Sequence, residues 1–293
     1  MLITIIIPTH NRATLLPRAI RSVLAQDDPN WELVVVDDGS TDDTRAVVEG
    51  FADARIRYIY QENRQLNGAR NTGIREARGE YAGFLDDDDE LLPDHPSRLR
   101  YSIEKDGARH DIYRSGELLR RGERETEGYN YRNDEPLLVQ FWEHPTGMFG
   151  MLIRTQLLRD NPFNEDHLLL DDFLWLNQIL RTASLRQIDA HTAVVHLHPE
   201  QRSAHYLTDE LLEQNISRLV EAYNLPGVSE QVPFSAYQQQ VFHQYVHYSR
   251  QLGRRGKALG AMKMWRKALS YATAGDAVEL AKTLATGVGL WRR

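Results

Sequence analysis

The first 36 residues limit the folds open to this 293-residue chain more than any other stretch. Residues 2–8, LITIIIP, form a β-branched run that ends in proline, and residues 31–36, WELVVV, form a second run of the same kind. Strands that lack a regular polar alternation are typical of a sheet covered on both faces. Between the two runs, apolar residues recur at helical spacing from Leu15 to Leu24.

The alternation of strand and helix continues as far as residue 85. Strands are predicted at residues 56–60 and 81–85, and a helix is predicted at residues 68–78 between them. Four such repeats indicate an α/β layer structure whose central sheet is mainly parallel. In sheets of this class, ligands bind beyond the carboxyl ends of the strands.

Polar clusters stand at three of those predicted strand ends. They are residues 9–11 (Thr-His-Asn), residues 37–40 (Asp-Asp-Gly-Ser) and the four consecutive aspartates at residues 86–89, here called the aspartate run. Adjacent carboxylates repel one another unless a cation or hydrogen-bond donors compensate them. Hard oxygen ligands are those that Mg²⁺ or Mn²⁺ prefers. The alternative is an acidic turn that caps the next helix, predicted at residues 90–99, through Asp89.

Composition narrows the chemistry and the location. The chain has no cysteine, so any metal must be held by oxygen or imidazole. The apolar start is too short for a signal-peptide core, and no window approaches the roughly 20 apolar residues of a spanning helix. We therefore expect a cytoplasmic protein, with peripheral contact on the inner face of the cell membrane as an extension of that expectation.

The net charge of −7 is unevenly distributed along the chain. Residues 254–293 carry nine Lys/Arg and two Asp/Glu, whereas the remainder carries 26 basic and 40 acidic residues. The acidic body argues against nucleic-acid binding. The basic tail, in which amphipathic helices are predicted, suggests contact with an anionic membrane or with a partner, including a second copy of the chain.

Four motifs, in this order and spacing, resemble those of the family 2 inverting glycosyltransferases, which have the GT-A fold. They are IIIPTHNR (residues 5–12), VVVDDGSTDDT (34–44), NGARNTGI (67–74) and GEYAGFLDDDDELLP (79–93). The resemblance implies a GT-A nucleotide-diphosphate-sugar-binding domain at residues 1–204, followed by an α-helical C-terminal region at residues 205–293. It also implies a nucleotide-sugar donor, with UDP as the favoured carrier, and a divalent cation, Mn²⁺ or Mg²⁺. The expected acceptor is a hydroxyl of a glycan or lipid-linked saccharide, in cell-surface polysaccharide synthesis.

The same resemblance assigns the donor-binding side chains. Asp38 is expected to read the nucleoside base, while Asp37 is expected to face the backbone of its own turn. Arg70 is a planar charged donor for phosphate or base. The first motif contributes the remaining contacts to the nucleotide sugar: Pro8, Thr9, His10 and Asn11. The chain departs from the family where Asn63, Arg64 and Gln65 replace the usual Asn-x-Gly, so a local difference in that turn is expected.

Roles within the aspartate run also follow from the resemblance. Asp88 is the expected metal ligand, together with His198, which precedes a proline after a predicted strand. Asp86 and Asp87 are expected to accept hydrogen bonds from ribose hydroxyls. A structural histidine is the alternative for His198, and it is favoured for His196.

An inverting displacement needs a carboxylate on the acceptor side to take the hydroxyl proton. Residues 162–180, PFNEDHLLLDDFLWLNQIL, resemble the acceptor-side segment of the family, and Asp172 matches the base, with Asp171 in reserve. The alternative is a pair of carboxylates that stabilises the start of a helix. Trp142 lies in a stretch that resembles the acceptor region, where it would stack on a sugar ring or pack in the core.

Two rival functions are weighed against glycosyl transfer. A nucleotidyltransferase shares the α/β nucleotide site and acidic metal ligands, but it would need a Lys/Arg-rich loop after the first strand. Residues 9–12, THNR, match such a loop poorly. A non-catalytic nucleotide-sugar-binding protein is the second rival, in which Asp171 and Asp172 only start a helix. If donor binding and transfer both persist after Asp172 is replaced with asparagine, Asp172 is not the base.

Overall fold

The computed structural model describes residues 1–166, 171–198 and 208–287. The strands of this part are β1 Ile3–Thr9, β2 Trp31–Asp38, β3 Ile56–Gln61, β4 Tyr81–Phe84, β5 Glu90–Leu91, β6 Ile112–Arg121, β7 Arg124–Glu127, β8 Met151–Arg154 and β9 Leu185–His196. Its helices are α1 Leu16–Leu24, α2 Thr44–Glu49, α3 Gln65–Glu76, α4 His95–Asp106, α5 Leu137–Glu143, α6 Thr155–Asp160, α7 Asp171–Leu180, α8 Asp209–Tyr223, α9 Phe234–Arg254, α10 Ala258–Leu269 and α11 Ala277–Gly287, with a 3₁₀ turn at Ala274–Asp276.

These strands form one mixed sheet in the order β3-β2-β1-β4-β8-β6-β9-β5, with β7 paired to β6. The first four strands are parallel to one another, as the sequence predicts. β6 and β9 form a further long parallel pair, while β8, β5 and β7 pair antiparallel to their neighbours. The predicted α/β class with a mainly parallel sheet is confirmed.

Strand register brings the predicted polar clusters to one edge of the sheet. Thr9, the last residue of β1, lies opposite Asp37 near the end of β2. Phe84, the last residue of β4, lies opposite Ile6, so the chain that follows it runs past the end of β1. Carboxyl ends of parallel strands share an edge, and the three clusters therefore meet there.

The two faces of β1 and β2 are both buried, which explains their uninterrupted apolar sequence. Ile5 and Leu33 pack in a large core with α1, and Val34 and Val36 pack on the other face against α3. Each fully buried aliphatic side chain stabilises the fold by roughly 1.5–3 kcal/mol. α3 approaches β1 closely because Gly73 has no side chain: a Cβ at that position would lie 2.3 Å from Cγ2 of Ile6.

The helix predicted at residues 90–99 is displaced in the structure. Glu90 and Leu91 form the short strand β5 against β9, and the helix begins only at His95. Pro93 and Pro96 account for the shift, because the residue before a proline disfavours helical geometry whereas proline is tolerated in the first helical turn. Asp89 is thus not the cap of this helix, and that prediction is wrong.

The chain divides into two compact units. The first comprises Met1–Leu137, Thr146–Trp175 and Thr182–His198, and the second comprises Leu138–Pro145, Leu176–Arg181 and the chain from residue 199 onward. The predicted boundary after residue 204 lies outside the described residues.

Helices make up the described part of the second unit. Thr208 caps α8 as an N-cap threonine should, since its hydroxyl accepts from the Leu211 amide at 3.1 Å. Trp265 on α10 donates to the Leu280 carbonyl of α11 at 2.9 Å. Within residues 1–166, 171–198 and 208–287, no helix combines the length and apolar character needed to cross a membrane.

Candidate active site

The ends of β1, β2 and β4 form the first part of the site, here called the strand-end rim: residues 9–11, Asp38 and the aspartate run. Asp38 is buried, and its Oδ1 accepts from the Arg64 amide at 2.8 Å and from Gln61 Nε2 at 2.7 Å. His10 lies beside it, with Nδ1 2.8 Å from the Asp38 carbonyl oxygen. Both hydrogen bonds use the same carboxylate oxygen, Oδ1.

Asp37 faces its own turn, as predicted. Its Oδ1 accepts from the Ser40 amide at 2.8 Å, and its Oδ2 accepts from the Tyr58 hydroxyl at 2.6 Å. Burial, reinforced by the Asp37 carboxylate, raises the pKa of Tyr58. Asn11, at φ 53°, ties the neighbouring loop to this turn, because its side-chain oxygen accepts from the Thr41 amide at 2.8 Å.

The turn that departs from the family pattern takes a backbone shape that glycine usually supplies. Gln65 has φ 61°, in the left-handed region that non-glycine residues seldom adopt. Asn63 stabilises the turn, since its side-chain oxygen accepts from the Gln65 amide at 3.1 Å. A glutamine thus occupies a left-handed position at this turn.

Two members of the aspartate run are buried and bonded inside the fold. Asp87 Oδ2 accepts from the Thr9 hydroxyl at 2.7 Å, and burial raises the pKa of Asp87 to about 7. Asp89 Oδ1 accepts from the His196 amide of β9 at 2.8 Å. Burial, with the neighbouring charge of Asp86, raises the pKa of Asp89 to about 8. The contacts of Thr9 and Asp87 are thus with each other, and their predicted contacts to the nucleotide sugar stay predictions.

Asp88 bonds to basic residues outside the run. Its Oδ2 lies 3.1 Å from His198 Nε2 and 3.2 Å from Arg12 Nη1, and Arg18 donates to its carbonyl oxygen. The predicted neighbourhood of Asp88 and His198 is therefore present. Arg12 and Arg18 were not predicted as site residues, although Arg12 closes the first motif and its charge beside an acidic run was a usable signal.

The aspartate run fits a divalent cation. One carboxylate oxygen each from Asp86, Asp88 and Asp89 lies within 4.8 Å of the others. Oxygens on opposite sides of an octahedral Mg²⁺ lie about 4.2 Å apart, so small side-chain rotations would suffice. A cation would also compensate the buried carboxyl groups whose pKa values are raised. Asp86 and Asp89 thus join Asp88 as candidate ligands.

Arg70 and Asp172 form the second part of the site. Arg70 Nη1 lies 2.5 Å from Asp172 Oδ1, and Nη2 lies 3.4 Å from Oδ2. The Arg70 side chain is almost fully buried, and its guanidinium carbon lies 5.3 Å from the ring centroid of Phe163 and 5.9 Å from that of Phe84. The structure thus joins two residues that the sequence assigned separate tasks. The side chain of Asp171 lies outside the described part.

Residues 161–166, here called the braced segment, are attached to one face of α3. Asn71 bonds both backbone groups of Phe163 at 2.9 Å, and Asn67 donates to the Asn164 carbonyl at 2.8 Å. Just before α3, Arg64 Nη2 pairs with Glu165 Oε2 at 2.5 Å. The three attaching residues recur at intervals of three and four positions, which places them on one side of a helix. No local sequence pattern indicates this role.

Trp142 belongs to the core of the second unit. It is fully buried, and its indole Nε1 donates to Asn177 Oδ1 at 2.7 Å. Its ring packs edge-on against Tyr223. Core packing, and not exposure to a sugar ring, is the alternative that the structure supports.

Residues 4–160 match the model of a protein family described as glycosyl transferase family 2. Similar proteins include a GalNAc(5)-diNAcBac-PP-undecaprenol β-1,3-glucosyltransferase of Campylobacter jejuni, 34% identical over 190 residues that cover 60% of this chain and 59% of the relative. The succinoglycan biosynthesis protein ExoO of Rhizobium meliloti is 45% identical over 104 residues, covering 35% of this chain and 29% of the relative. The matched part thus spans less than two thirds of the length of these relatives.

Solved structures resemble the whole chain. TarS of S. aureus, in a complex with UDP-GlcNAc, has a TM-score of 0.65 and 17% identity, covering 99% of this chain and 91% of that chain. The mannosyltransferase PcManGT of Pyrobaculum calidifontis, in a complex with GDP-Man and Mn²⁺, has a TM-score of 0.60 and 19% identity, covering 99% and 81%. At these identities the likeness establishes the GT-A fold alone. Since the family model also matches more than half of the 293 residues, the chain belongs to glycosyl transferase family 2.

Proposed function

We propose that this chain is an inverting, metal-dependent glycosyltransferase that moves a sugar from a nucleotide-diphosphate-sugar, with UDP as the favoured carrier, to an acceptor hydroxyl. The observation that carries the proposal is the pair of carboxylate sites in one compact unit. Asp88 lies beside His198 and two further carboxylates, and Asp172 lies against Arg70. This reaction needs a metal site and a general base, and carboxylates can supply both.

Different residues would bind the donor and take part in the transfer step. Asp38 Oδ2 would accept an imide N–H of the base, beside the His10 ring, and Pro8, Thr9 and Asn11 would line the nucleotide sugar. Asp172 would take the acceptor hydroxyl proton while the acceptor oxygen bonds to the anomeric carbon. The bond from that carbon to the phosphate oxygen breaks, and its electron pair leaves with the diphosphate.

The leaving group carries most of the charge to be compensated. Asp88 and His198, with Asp86 or Asp89, would hold Mn²⁺ or Mg²⁺ at the diphosphate. When bound, such a cation supplies Lewis-acid stabilisation worth several kcal/mol. Asp87, buried beside Thr9, would keep the turn of the aspartate run in place. It would also accept a hydrogen bond from a ribose hydroxyl.

The acceptor is proposed from the relatives. The name of the Campylobacter jejuni relative describes a glucosyltransferase acting on an undecaprenol-linked saccharide, and that of the Rhizobium meliloti relative describes succinoglycan biosynthesis. These names support a glycan or lipid-linked acceptor in cell-surface polysaccharide synthesis.

A thermal-shift panel of nucleotide sugars, with and without Mn²⁺, tests the donor and the metal together. We expect one nucleoside diphosphate class to raise the melting temperature, and the rise to be larger with Mn²⁺. Asp88→Asn should remove the part that depends on Mn²⁺, whereas Glu49→Gln, on the exposed surface of α2, should not. If no nucleotide diphosphate stabilises the wild-type chain, the proposal is overturned.

Contact with an anionic membrane is proposed for the basic helices, which would bring the enzyme to a lipid-linked acceptor. Residues 254–269 contain six Lys/Arg and no Asp/Glu, and Leu259 on α10 is 88% exposed. Each basic residue near an anionic surface contributes about 1 kcal/mol to binding. Sedimentation with anionic vesicles should weaken in the variant Lys263→Glu/Arg266→Glu. Unchanged sedimentation would oppose membrane contact, and a change in oligomeric mass would instead favour a homodimer.

A further inference from the structure

Arg12 is the last residue of the first motif, and the structure uses only part of its guanidinium group. Its Nη1 lies 3.2 Å from Asp88 Oδ2, and its side chain is 23% exposed. Within the part of the chain that the structure describes, its Nε and Nη2 make no hydrogen bond, and neither atom is buried. Arg12 thus presents unused N–H donors to solvent beside the aspartate run.

Backbone contacts hold the loop that carries Arg12. The amides on either side of it donate to the turn after β2: Asn11 to Ser40 Oγ at 2.8 Å, and Ala13 to Asp42 Oδ2 at 3.0 Å. The carbonyl oxygen of Arg12 accepts from two amides at the start of α1, both at 3.0 Å. The loop is therefore attached to its surroundings independently of the ion pair with Asp88.

Strand order places Arg12 between the two ends of the proposed donor site. Arg12 follows β1, which lies between β2 and β4 in the sheet. Asp38, the proposed contact to the base, ends β2, and the aspartate run follows β4. Neighbouring strands are about 4.8 Å apart, so the ends of β2 and β4 are about 10 Å apart. A nucleotide that extends from Asp38 to the run would cross the end of β1.

The other arginine at the run, Arg18, has a different role. It donates to the Asp88 carbonyl oxygen, and its Nε is buried without a hydrogen bond, 3.7 Å from Glu90 Oε1. Arg18 therefore supports the backbone of the turn. Arg12 contacts a carboxylate of the run and keeps accessible donors, so it is the arginine that can bind a ligand there.

Phosphate oxygens are the ligand that suits these donors. A guanidinium group binds phosphate through parallel, charge-assisted N–H···O bonds. The proposed donor would bring a diphosphate to the run, where carboxylates already repel one another. Arg12 supplies a positive charge at this point that belongs to the chain itself.

We propose that Arg12 is a further donor-binding residue, whose Nε and Nη2 bind the diphosphate of the nucleotide sugar while Nη1 keeps its pair with Asp88. This inference rests on the proposed function. During transfer, the same contact stabilises the negative charge that develops on the departing diphosphate. The end of the first motif thereby acts on the leaving group.

Titration of the full chain with UDP in the presence of Mn²⁺ tests this contact. Arg12→Gln should bind UDP about tenfold more weakly than the wild type, because hydrogen bonds to charged groups are stronger than neutral ones. Uridine, which has no phosphate, should bind both chains equally. Arg21→Gln removes the same charge from an exposed position of α1, and this matched control should leave UDP affinity unchanged. Equal UDP affinity, or an equal loss for uridine, overturns the proposal.

A double-mutant cycle separates a direct contact from an effect that passes through Asp88. Arg12→Gln, introduced into Asp88→Asn, should still weaken UDP binding by a similar factor. If Arg12 acted only by holding Asp88, the second substitution would have no effect, and that result overturns the proposal.

A further measurement uses the wild-type chain and does not depend on a variant that folds. Labelling of Arg12 by phenylglyoxal, read by tandem mass spectrometry, should fall several-fold on saturation with UDP and stay constant with uridine. Labelling of Arg21 should stay constant with both. Constant labelling of Arg12 with UDP overturns the contact while the donor assignment stands. If the wild-type chain does not bind UDP or any other nucleoside diphosphate, the proposed function itself is overturned.

Discussion

The strand-end rim takes its side chains from the ends of three neighbouring strands, whereas the braced segment is attached through one face of a helix. Asp38 and Asp87 are fixed within the rim by the backbone of Arg64 and the hydroxyl of Thr9. The braced segment is fixed by side chains of α3 that bond its backbone some 90 residues or more along the chain, and Asn71 and Phe163 are 92 apart in sequence. The rim is a product of sheet topology, and the braced segment depends on a few specific side chains.

This difference predicts which functions can be separated by mutation. Changes in the rim should affect binding of the donor and the cation. Changes in the braced segment and its attachments should affect transfer and stability while donor binding persists. The predictions that follow would break or sharpen this contrast.

The largest effect is expected for Asp172→Asn. Loss of a general base lowers rates by roughly 10²–10⁴-fold. We expect such a loss in the release of nucleoside diphosphate from the donor, measured as an initial rate, while the thermal shift caused by UDP is kept. Asp88→Asn should instead lose both the rate and the Mn²⁺-dependent part of the shift. Transfer at the wild-type rate by Asp172→Asn would show that Asp172 is not the base.

The next largest effect is a pH dependence of the free energy of unfolding, and its cause is a histidine outside the proposed site. His95 is completely buried at the start of α4, and burial lowers its pKa to about 4. Its ring lies 2.7 Å from the Thr192 hydroxyl, which donates to Ser115 Oγ at 2.7 Å and links α4 to β9 and β6. The unfolded chain binds the proton at pH values between about 4 and 6.5, and the folded chain does not. Stability conferred by the neutral imidazole is therefore complete above 6.5 and is lost as the pH falls toward 4.

The lowering of the His95 pKa from 6.5 to about 4 corresponds to about 3 kcal/mol of unfolding free energy. His95→Gln should remove the contribution of His95, so the difference in urea-unfolding free energy between wild type and variant should change as the pH falls from about 7 to about 4.5, because glutamine does not titrate. His144→Gln, at an exposed position, should keep the wild-type slope. Equal slopes for wild type and His95→Gln would contradict the assignment.

The rim could be predicted from sequence because its information is local. Asp38, the aspartate run and Thr9 follow apolar strands directly, so the strand order alone brings them to one edge. Gln65 shows the limit of motif matching, since it adopts a left-handed backbone conformation without the glycine that usually marks such a turn.

The remaining features are long-range and leave no local pattern. Asp89 reads as a helix cap because it stands before an apolar stretch, but the proline at residue 93 delays the helix and β9 supplies its partner. The pairing of Arg70 with Asp172 spans 102 positions and could not be deduced from either motif. Likewise, the sequence around Trp142 does not distinguish a tryptophan packed in a core from one that binds a sugar.

A smaller, structural effect is expected for Asn71→Ala. Asn71 satisfies both the amide and the carbonyl of Phe163, and the alanine variant leaves these buried groups without that partner. An unsatisfied buried polar group costs about 1–3 kcal/mol, so we expect a loss of about 2 kcal/mol in chemical unfolding. Binding of UDP should persist. A variant that unfolds normally but no longer binds UDP would mean that the rim and the braced segment are not separable.

The smallest effect is expected for Arg64→Ala, which removes a single ion pair. Arg64 contacts both parts of the site, since its amide donates to Asp38 and its side chain pairs with Glu165. Alanine keeps the amide and removes only the pair, in which the two side chains are 46% and 32% exposed. Exposed pairs contribute below about 1 kcal/mol, so stability and UDP affinity should both change little. A marked loss of UDP affinity in this variant would mean that the ion pair to the braced segment, and not the backbone of the turn, keeps Asp38 in position.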